Sequence, residues 1–297
     1  QSTEGRYNAT AERWVTDKVQ SPCIDAGNPS DSVGDEPTPN GNRINMGAYG
    51  GTKEASKGPE HVIWEVDKTG NRPGAFMRIQ DAIDNASNGD TVLVWPGEYN
   101  ERLVFTNQAI TVQSAEDAAV LTASDYAVSF YYGESYKSVL ANFVITGCGT
   151  GGIYCAGASP SLKNLTIVGN PVGIVAYDGS EPNIVNCILW YNSTTDLEGA
   201  KARYSNIQHD TPDTRLNNMQ REPYFADRDR KDYHLKSEGG RWSPLLNKWV
   251  FDGVTSPCID AGDPRDNDYQ GELMPNGGRI NMGAYGGTPY ASKSKGG

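Results

Sequence analysis

Four aspartates crowd one short stretch near the end of the chain. Asp260, Asp263, Asp266 and Asp268 lie among Gly, Pro, Arg and Asn. Alternating carboxylates in a turn supply hard oxygen ligands, so calcium is the ion this pattern would take as a cofactor. The full twelve-residue EF-hand pattern is absent. A second stretch, near the start, keeps Asp25 and Asp31 and places Asp35 and Glu36 nearby. The alternative for both is a set of Asp-capped turns facing solvent. Other charged groups could serve catalysis: the middle of the chain offers Asp178, Glu181 and Asp196 with Lys163 and Lys201. His61, His209 and His234 have no Ser or Cys partner pattern, and the five Cys have no CxxC spacing, which argues against a metal or redox motif. Tyr131, Tyr132, Tyr136, Tyr154, Tyr177, Trp190 and Tyr191 recur through the same region. Their rings could stack on sugars or simply pack.

The elements that carry these residues are marked by two kinds of repetition. The first is a long duplication. Residues 21–27 read Ser-Pro-Cys-Ile-Asp-Ala-Gly, and so do 256–262; residues 44–52 read Ile-Asn-Met-Gly-Ala-Tyr-Gly-Gly-Thr, and so do 280–288. The offset is 235 at Cys23/Cys258 and 236 at Arg43/Arg279, so one residue separates the copies in length. Residues 1–57 are thus a second copy of the tail at 236–297, and residues 58–235 lie between them. An interval this long repeats a module, not the coil of a solenoid.

The second repetition has a much shorter step. Asn142, Asn164 and Asn186 are 22 apart, as are Pro160 and Pro182. Val144, Thr166 and Ile188 follow the same step, and so do Ile145, Ile167 and Leu189. Short apolar runs separated by turn residues, repeating at this interval, predict an all-β solenoid with one coil per 22 residues. Apolar ladders would fill its interior, and stacked Asn side chains would hydrogen-bond along its axis. Ahead of the first strand, Phe76, Ile79, Ala82, Ile83 and Ala86 recur at helical spacing, predicting a helix over 76–87 that covers the first coil. Residues 210–250 break the period and read as a long polar loop. The tail would then cover the last coil, whose open edge needs protection.

The run from Ile79 to Asp84, then Gly89-Asp90-Thr91-Val92-Leu93-Val94 and Pro96-Gly97-Glu98-Tyr99, resembles the opening of right-handed parallel β-helix proteins. The tail motif resembles C-terminal segments of secreted β-helix repeat proteins. The resemblance implies a right-handed parallel β-helix and little about function, because this fold hosts lyases, hydrolases, adhesins and structural fibres. Lyases of the fold pair a Lys or Arg base with calcium or a second Arg, and its hydrolases use carboxylate pairs. No residue here falls in such a motif, so the reading leans away from an enzyme.

The bulk numbers bound the remaining choices. The 297 residues carry a net charge of −11, which argues against nucleic acid and anionic lipid. No apolar run approaches the length of a membrane span. The chain has 34 Gly, 16 Tyr and only three His, with sequons at Asn8, Asn85, Asn164 and Asn192, which points to an extracellular or cell-surface protein, with Asn8, Asn85 and Asn192 as the expected glycosylation sites. The expected role is non-catalytic and structural, with head-to-tail self-association into a filament or tandem array. Its interface would comprise Cys23, Ile24, Asp25, Arg43, Ile44 and Tyr49 in one copy, and Cys258, Ile259, Arg279, Ile280 and Tyr285 in the other. The alternative is a polysaccharide lyase, a glycoside hydrolase or a carbohydrate-binding module, with a polysaccharide as partner.

Overall fold

The 22-residue step is one turn of a parallel β-helix. The structure, a computed structural model, describes residues 1–27, 31–41, 44–58, 61–209 and 214–296; Arg43 lies outside them. Each turn contributes one strand to each of three parallel sheets. The first sheet runs through Thr91–Val94, Thr111–Ser114, Val139–Ala141, Ser161–Lys163, Asn183–Val185 and Ala202–Arg203, with Ile63–Val66 at its edge. The second comprises Glu98–Asn100, Ala119–Thr122, Phe143–Thr146, Thr166–Val168, Ile188–Trp190 and Asn206–Ile207. The third comprises Leu103–Val104, Tyr126–Phe130, Gly151–Ala156, Val172–Tyr177 and Thr195–Glu198. Like stacks on like: Val112 pairs with Leu140, Leu140 with Leu162, and Leu162 with Ile184, all buried. Leu121, Ile145, Ile167 and Leu189 form the matching ladder of the second sheet. Interior packing of these ladders sets the register, since a one-residue slip would turn each apolar row outward.

Both ends of the coil stack are covered, the first through a side chain that imitates a strand and the last mainly through backbone. The helix is shorter than its apolar pattern predicts, Ile79–Asn85, with Ile79, Ala82 and Ile83 buried on the first coil. Phe76 instead joins Val66 in an isolated parallel bridge. Gln80 accepts from the Val104 N–H at 2.8 Å and donates to the Val104 carbonyl at 3.1 Å, satisfying the edge strand of the third sheet. At the other end the cover is residues 216–221, not the tail. Met219 bridges Asn206, Ile207 N–H donates to the Met219 carbonyl at 3.0 Å, and Asn218 Nδ2 donates to the Ala202 carbonyl at 2.6 Å. The reading of 210–250 as a loop is also corrected. Phe225–Asp227 and Asp232–Leu235 form an antiparallel hairpin with Phe225, Tyr233 and Leu235 buried. The charge run that looked like a solvated loop closes this hairpin, with Arg230 paired to Asp227 at 2.6 Å.

The chain divides into two units, Gln1–Ile63 and Trp64–Gly297, and each carries one copy of the duplicated motif. The copies fold alike. Arg6–Asn8 pairs antiparallel with Arg13–Val15, as Arg241–Ser243 does with Lys248–Val250, in the same register. Arg6 is held by Asp17 at 2.8 Å and Arg241 by Asp252 at 3.0 Å. Asn45 Oδ1 accepts from Asp25 N–H at 2.7 Å, and Asn281 Oδ1 from Asp260 N–H at 2.8 Å. Glu36 Oε1 accepts from the N–H groups of Asn45 and Gly51, and Glu272 Oε1 from those of Asn281 and Gly287. A turn-rich segment with so few apolar residues keeps one shape because Asn and Glu side chains satisfy its backbone donors.

Candidate functional site

The C-terminal copy lies along one side of the β-helix and crosses several coils. Its anchor points are the three asparagines, each in a left-handed turn between the first and second sheets, with φ of 62° at Asn142, 48° at Asn164 and 57° at Asn186. Asn142 Nδ2 donates to the carbonyls of Ala284 and Gly286 at 3.1 and 2.8 Å. Asn164 Nδ2 donates to those of Asn281 and Gly283 at 3.0 and 3.3 Å. Asn186 accepts from Asp263 N–H at 2.7 Å and donates to Asp266 at 3.1 Å. The axial bonding expected for this row is thereby corrected: within it, only a 3.4 Å contact from Asn186 to Asn164 runs between coils through the amides. The axial amide ladder belongs to other residues. Asn170 Oδ1 accepts from Cys148 N–H and Asn192 Oδ1 from Asn170 N–H, again 22 apart.

Beside the asparagines, the outer face of the second sheet is apolar. Val144, Val168, Ile188 and Trp190 are buried there against Phe225, Tyr233, Leu235, Cys258, Ile259, Met282, Ala284 and Tyr285. Val144, Thr166 and Ile188 therefore form an outward row covered by the tail, not an interior one. Strands buried on both faces read as continuous apolar runs, which hides the distinction in sequence. Gly283 approaches the sheet closely: a β-carbon there would stand 2.8 Å from both Ile188 Cδ1 and Thr166 Oγ1. Thr166 in turn accepts from Ala284 N–H at 3.0 Å. Asn164→Ala should lower stability by roughly 1–3 kcal/mol, because the Asn281 carbonyl loses its donor and the Gly283 carbonyl keeps only the Gly286 N–H. Asn164→Gly, which tolerates the positive φ, separates the amide's share from the backbone's in the same urea titration.

Of the interface residues named from sequence, Cys258, Ile259 and Tyr285 pack on this flank. Arg279 and Ile280 brace the motif itself: Arg279 Nη2 donates to the Ala261 carbonyl at 2.9 Å, and the Ile280 carbonyl accepts from Gly262 N–H. In the N-terminal copy Cys23 and Tyr49 are exposed, and Ile24, Asp25 and Ile44 are half-buried. Met282 and Ala284 were missed, as were the receiving asparagines, although the 22-residue step marks the latter.

Of the four carboxylates proposed for calcium, three have cationic partners and the fourth a hydroxyl. Asp263 is bound by Arg265 at 2.8 Å and by Arg203, and the hydrogen-bonded Arg265 guanidinium holds its carboxyl down at about 2. Asp266 and Asp268 share the Lys163 ammonium at 3.4 and 3.1 Å. Asp260 accepts from the Ser294 hydroxyl at 2.7 Å, while burial pushes its carboxyl up. Among the described residues, no group of three or more His, Cys, Asp or Glu is placed to hold a metal ion. Three of the four carboxylates already have Lys or Arg partners, so EDTA should leave the melting temperature unchanged within 1–2 °C, roughly the shift of a few tenths of a kcal/mol. A chelator-sensitive Tm would assign the cluster to calcium.

The sequons have different settings. Asn85 is exposed, and Asn8 accepts from Thr10 and Ala11 N–H at a hairpin turn. Asn164 and Asn192 are buried, and Asn192 Nδ2 donates to the Ile167 carbonyl and Asp196, bonds that a glycan on that nitrogen would displace. His234 is buried as well. It bonds Asp232 at 2.7 Å, approaches Asp117 at 3.5 Å and stacks on Tyr285 with centroids 3.8 Å apart. Burial pushes the Asp117 carboxyl up. This acid–imidazole–acid group is closed to substrate and ties the tail to the second sheet.

One open surface carries rings. Tyr126, Tyr154 and Tyr177 line the outer face of the third sheet, with centroids 5.3 and 6.3 Å apart. Tyr177 bonds Glu198. The row meets a groove of about 630 Å³ that includes Asp178, Glu181 and Lys201. Asp196, by contrast, is buried and accepts from the N–H groups of Gln208 and His209. Trp190 lies under the tail, and Tyr191 carries the Arg228 guanidinium over its ring at 3.8 Å.

Residues 114–262, about half of the chain, match the sequence model of a family described as disaggregatase related. The matched span covers most of the coils, the hairpin and the first part of the C-terminal tail. No curated protein and no solved structure matches the chain.

Proposed function

The chain belongs to the disaggregatase-related family, and from that premise we propose that it is a non-catalytic structural protein of the cell surface or extracellular space, built from modules that join through the duplicated motif. The observation that carries this reading is the fate of the two copies. They share one fold, yet one is packed on a β-helix flank while the other presents the matching residues to solvent. Head-to-tail contacts between unlike surfaces repeat without closing, so the assembled form would be a filament or tandem array. Negative-stain electron microscopy of the native material tests this. Long regular fibres are the expected result, and discrete particles at every concentration would overturn it.

A second reading rests on the tyrosine row. Three rings in line on an exposed sheet, ending at a groove with carboxylates and a lysine, suit an extended polysaccharide. Affinity electrophoresis on acidic and neutral polysaccharides, with Tyr154→Ala as control, tests it. Retardation lost in the variant would favour a carbohydrate-binding role.

A further inference from the structure

Met282 is 2% exposed and Tyr285 7%, but their counterparts Met46 and Tyr49 are 57% and 68% exposed. Cys258 is fully buried, and Cys23 is open. Ala284 is buried, and Ala48 is exposed. The same face is thus covered in one copy and bare in the other. Gly283 and Gly47 share an unusual positive φ, 88° and 105°. In the C-terminal copy that geometry brings the backbone onto Ile188; at Gly47 a β-carbon would meet nothing within 4 Å. A close-approach glycine with nothing to approach, beside an exposed Met and Tyr, is the imprint of a missing surface.

We infer that Cys23 and residues 44–52 form a clamp for the flank of a second β-helix of this chain's own kind. The partner is defined by what the C-terminal copy binds: asparagines in left-handed turns 22 residues apart, beside an outward row like Val144, Thr166 and Ile188. The carbonyls of Asn45, Gly47, Ala48 and Gly50 would accept from that asparagine row, as those of Asn281, Gly283, Ala284 and Gly286 do. Ala48 N–H would donate to the hydroxyl that Thr166 supplies to Ala284. Met46 and Tyr49 would pack on the outward row. The flank of each copy of this chain is already filled by its own residues 258–286, so the receiving flank belongs to a β-helix of the same kind that lacks a covering tail of its own. This rests on the modular reading above for its choice of partner, and it names the surface through which the modules would join.

Cys23 reports the outcome. Burial pushes the Cys258 thiol up to about 12, which together with its enclosure makes it inert to thiol reagents. Residues 64–235 are placed ahead of Gln1 of the full chain, reproducing the junction between residues 235 and 236. Labelling of Cys23 by a thiol reagent should then slow by at least ~100-fold relative to the 297-residue chain, the protection expected of a site that reacts only through local opening. Replacing Asn142, Asn164 and Asn186 in the added block alone should restore fast labelling. Unchanged labelling of Cys23 in the tandem chain would overturn the inference. An added block that stays unfolded counts against it equally, because residues 1–57 then fail to act as 236–293 act. If Cys23 is protected but the 297-residue chain forms no fibres, the clamp stands and self-assembly of this chain does not. Fibres with Cys23 still reactive would place assembly on another surface.

Discussion

Gly283→Val should lower the stability of the β-helix unit by roughly 2–5 kcal/mol, while Gly47→Val costs roughly 1–2 kcal/mol and only in the first unit. Both positions have positive φ, so both variants carry backbone strain. Only Gly283 adds a collision, at 2.8 Å from Ile188 and Thr166. Ile188 Cδ1 ends its side chain, but Ile188 is fully buried and its Cγ1 stands at 3.3 Å as well, and Thr166 is held by the Ala284 bond. The tail must therefore lift, taking the carbonyls of Asn281 and Gly283 away from Asn164. Urea titration with hydrogen exchange resolves the two units. Equal losses in both would mean that the tail's contact with the flank contributes little, and the comparison of the two copies would lose its meaning.

Glu272 should make the protein less stable as pH rises toward neutrality. Burial pushes its carboxyl up to about 8, against the pull of the Asn281 and Gly287 N–H donors. Its second oxygen, Oε2, is buried without a hydrogen-bond partner. A carboxyl whose folded pKa exceeds its unfolded value of 4.5 binds its proton more tightly when folded. Its stabilisation is complete below 4.5 and is lost as pH rises from 4.5 to about 8. At about 1.4 kcal/mol per unit, the full loss is on the order of 3–5 kcal/mol. The raised Asp117 carboxyl acts in the same direction. Asp263, held at about 2, acts oppositely: its stabilisation is present above 3.8 and disappears between 3.8 and 2. The urea midpoint should therefore be highest near pH 4–5. Glu272→Gln, which keeps the oxygen that accepts both N–H groups and carries no charge, should flatten the alkaline limb. A midpoint that rises steadily from pH 5 to pH 8 would refute the buried neutral acid.

The coils were legible because their interior is periodic. Each of Leu140, Leu162 and Ile184 meets its counterpart in the next turn, and identity at a fixed step survives any uncertainty about strand ends. The flank was half legible. Asn142, Asn164 and Asn186 showed the same step, but spacing alone cannot say whether a side-chain amide reaches along the axis or sideways. Val144 and Ile145 are both apolar, so nothing local tells the inward residue from the one covered by the tail. The hairpin at 225–235 was hidden by its charged turn, which outweighs three buried residues in any compositional reading. The cationic partners of Asp263 and Asp266 were not legible beside the aspartates, because Lys163 and Arg203 come from distant coils.

The order in which the tail meets the coils gives the protein a direction under load. The chain leaves the last coil, packs Cys258 beside Asn206, reaches Asn186 through Asp263 and Asp266, and then passes Asn164 and Asn142 in turn. Tension applied at the C-terminal end would first meet the bonds of Ser292 to the Leu235 carbonyl and of Lys293 to Ser237 and Gly240, and would then reach the bonds of Asn142, Asn164 and Asn186 in turn. Bonds loaded one after another fail at low force, as a strip of tape peels. Tension entering at the Cys258 side would load all three coils at once and meet shear resistance instead. The same strap is thus weak when pulled from one end and strong when pulled from the other.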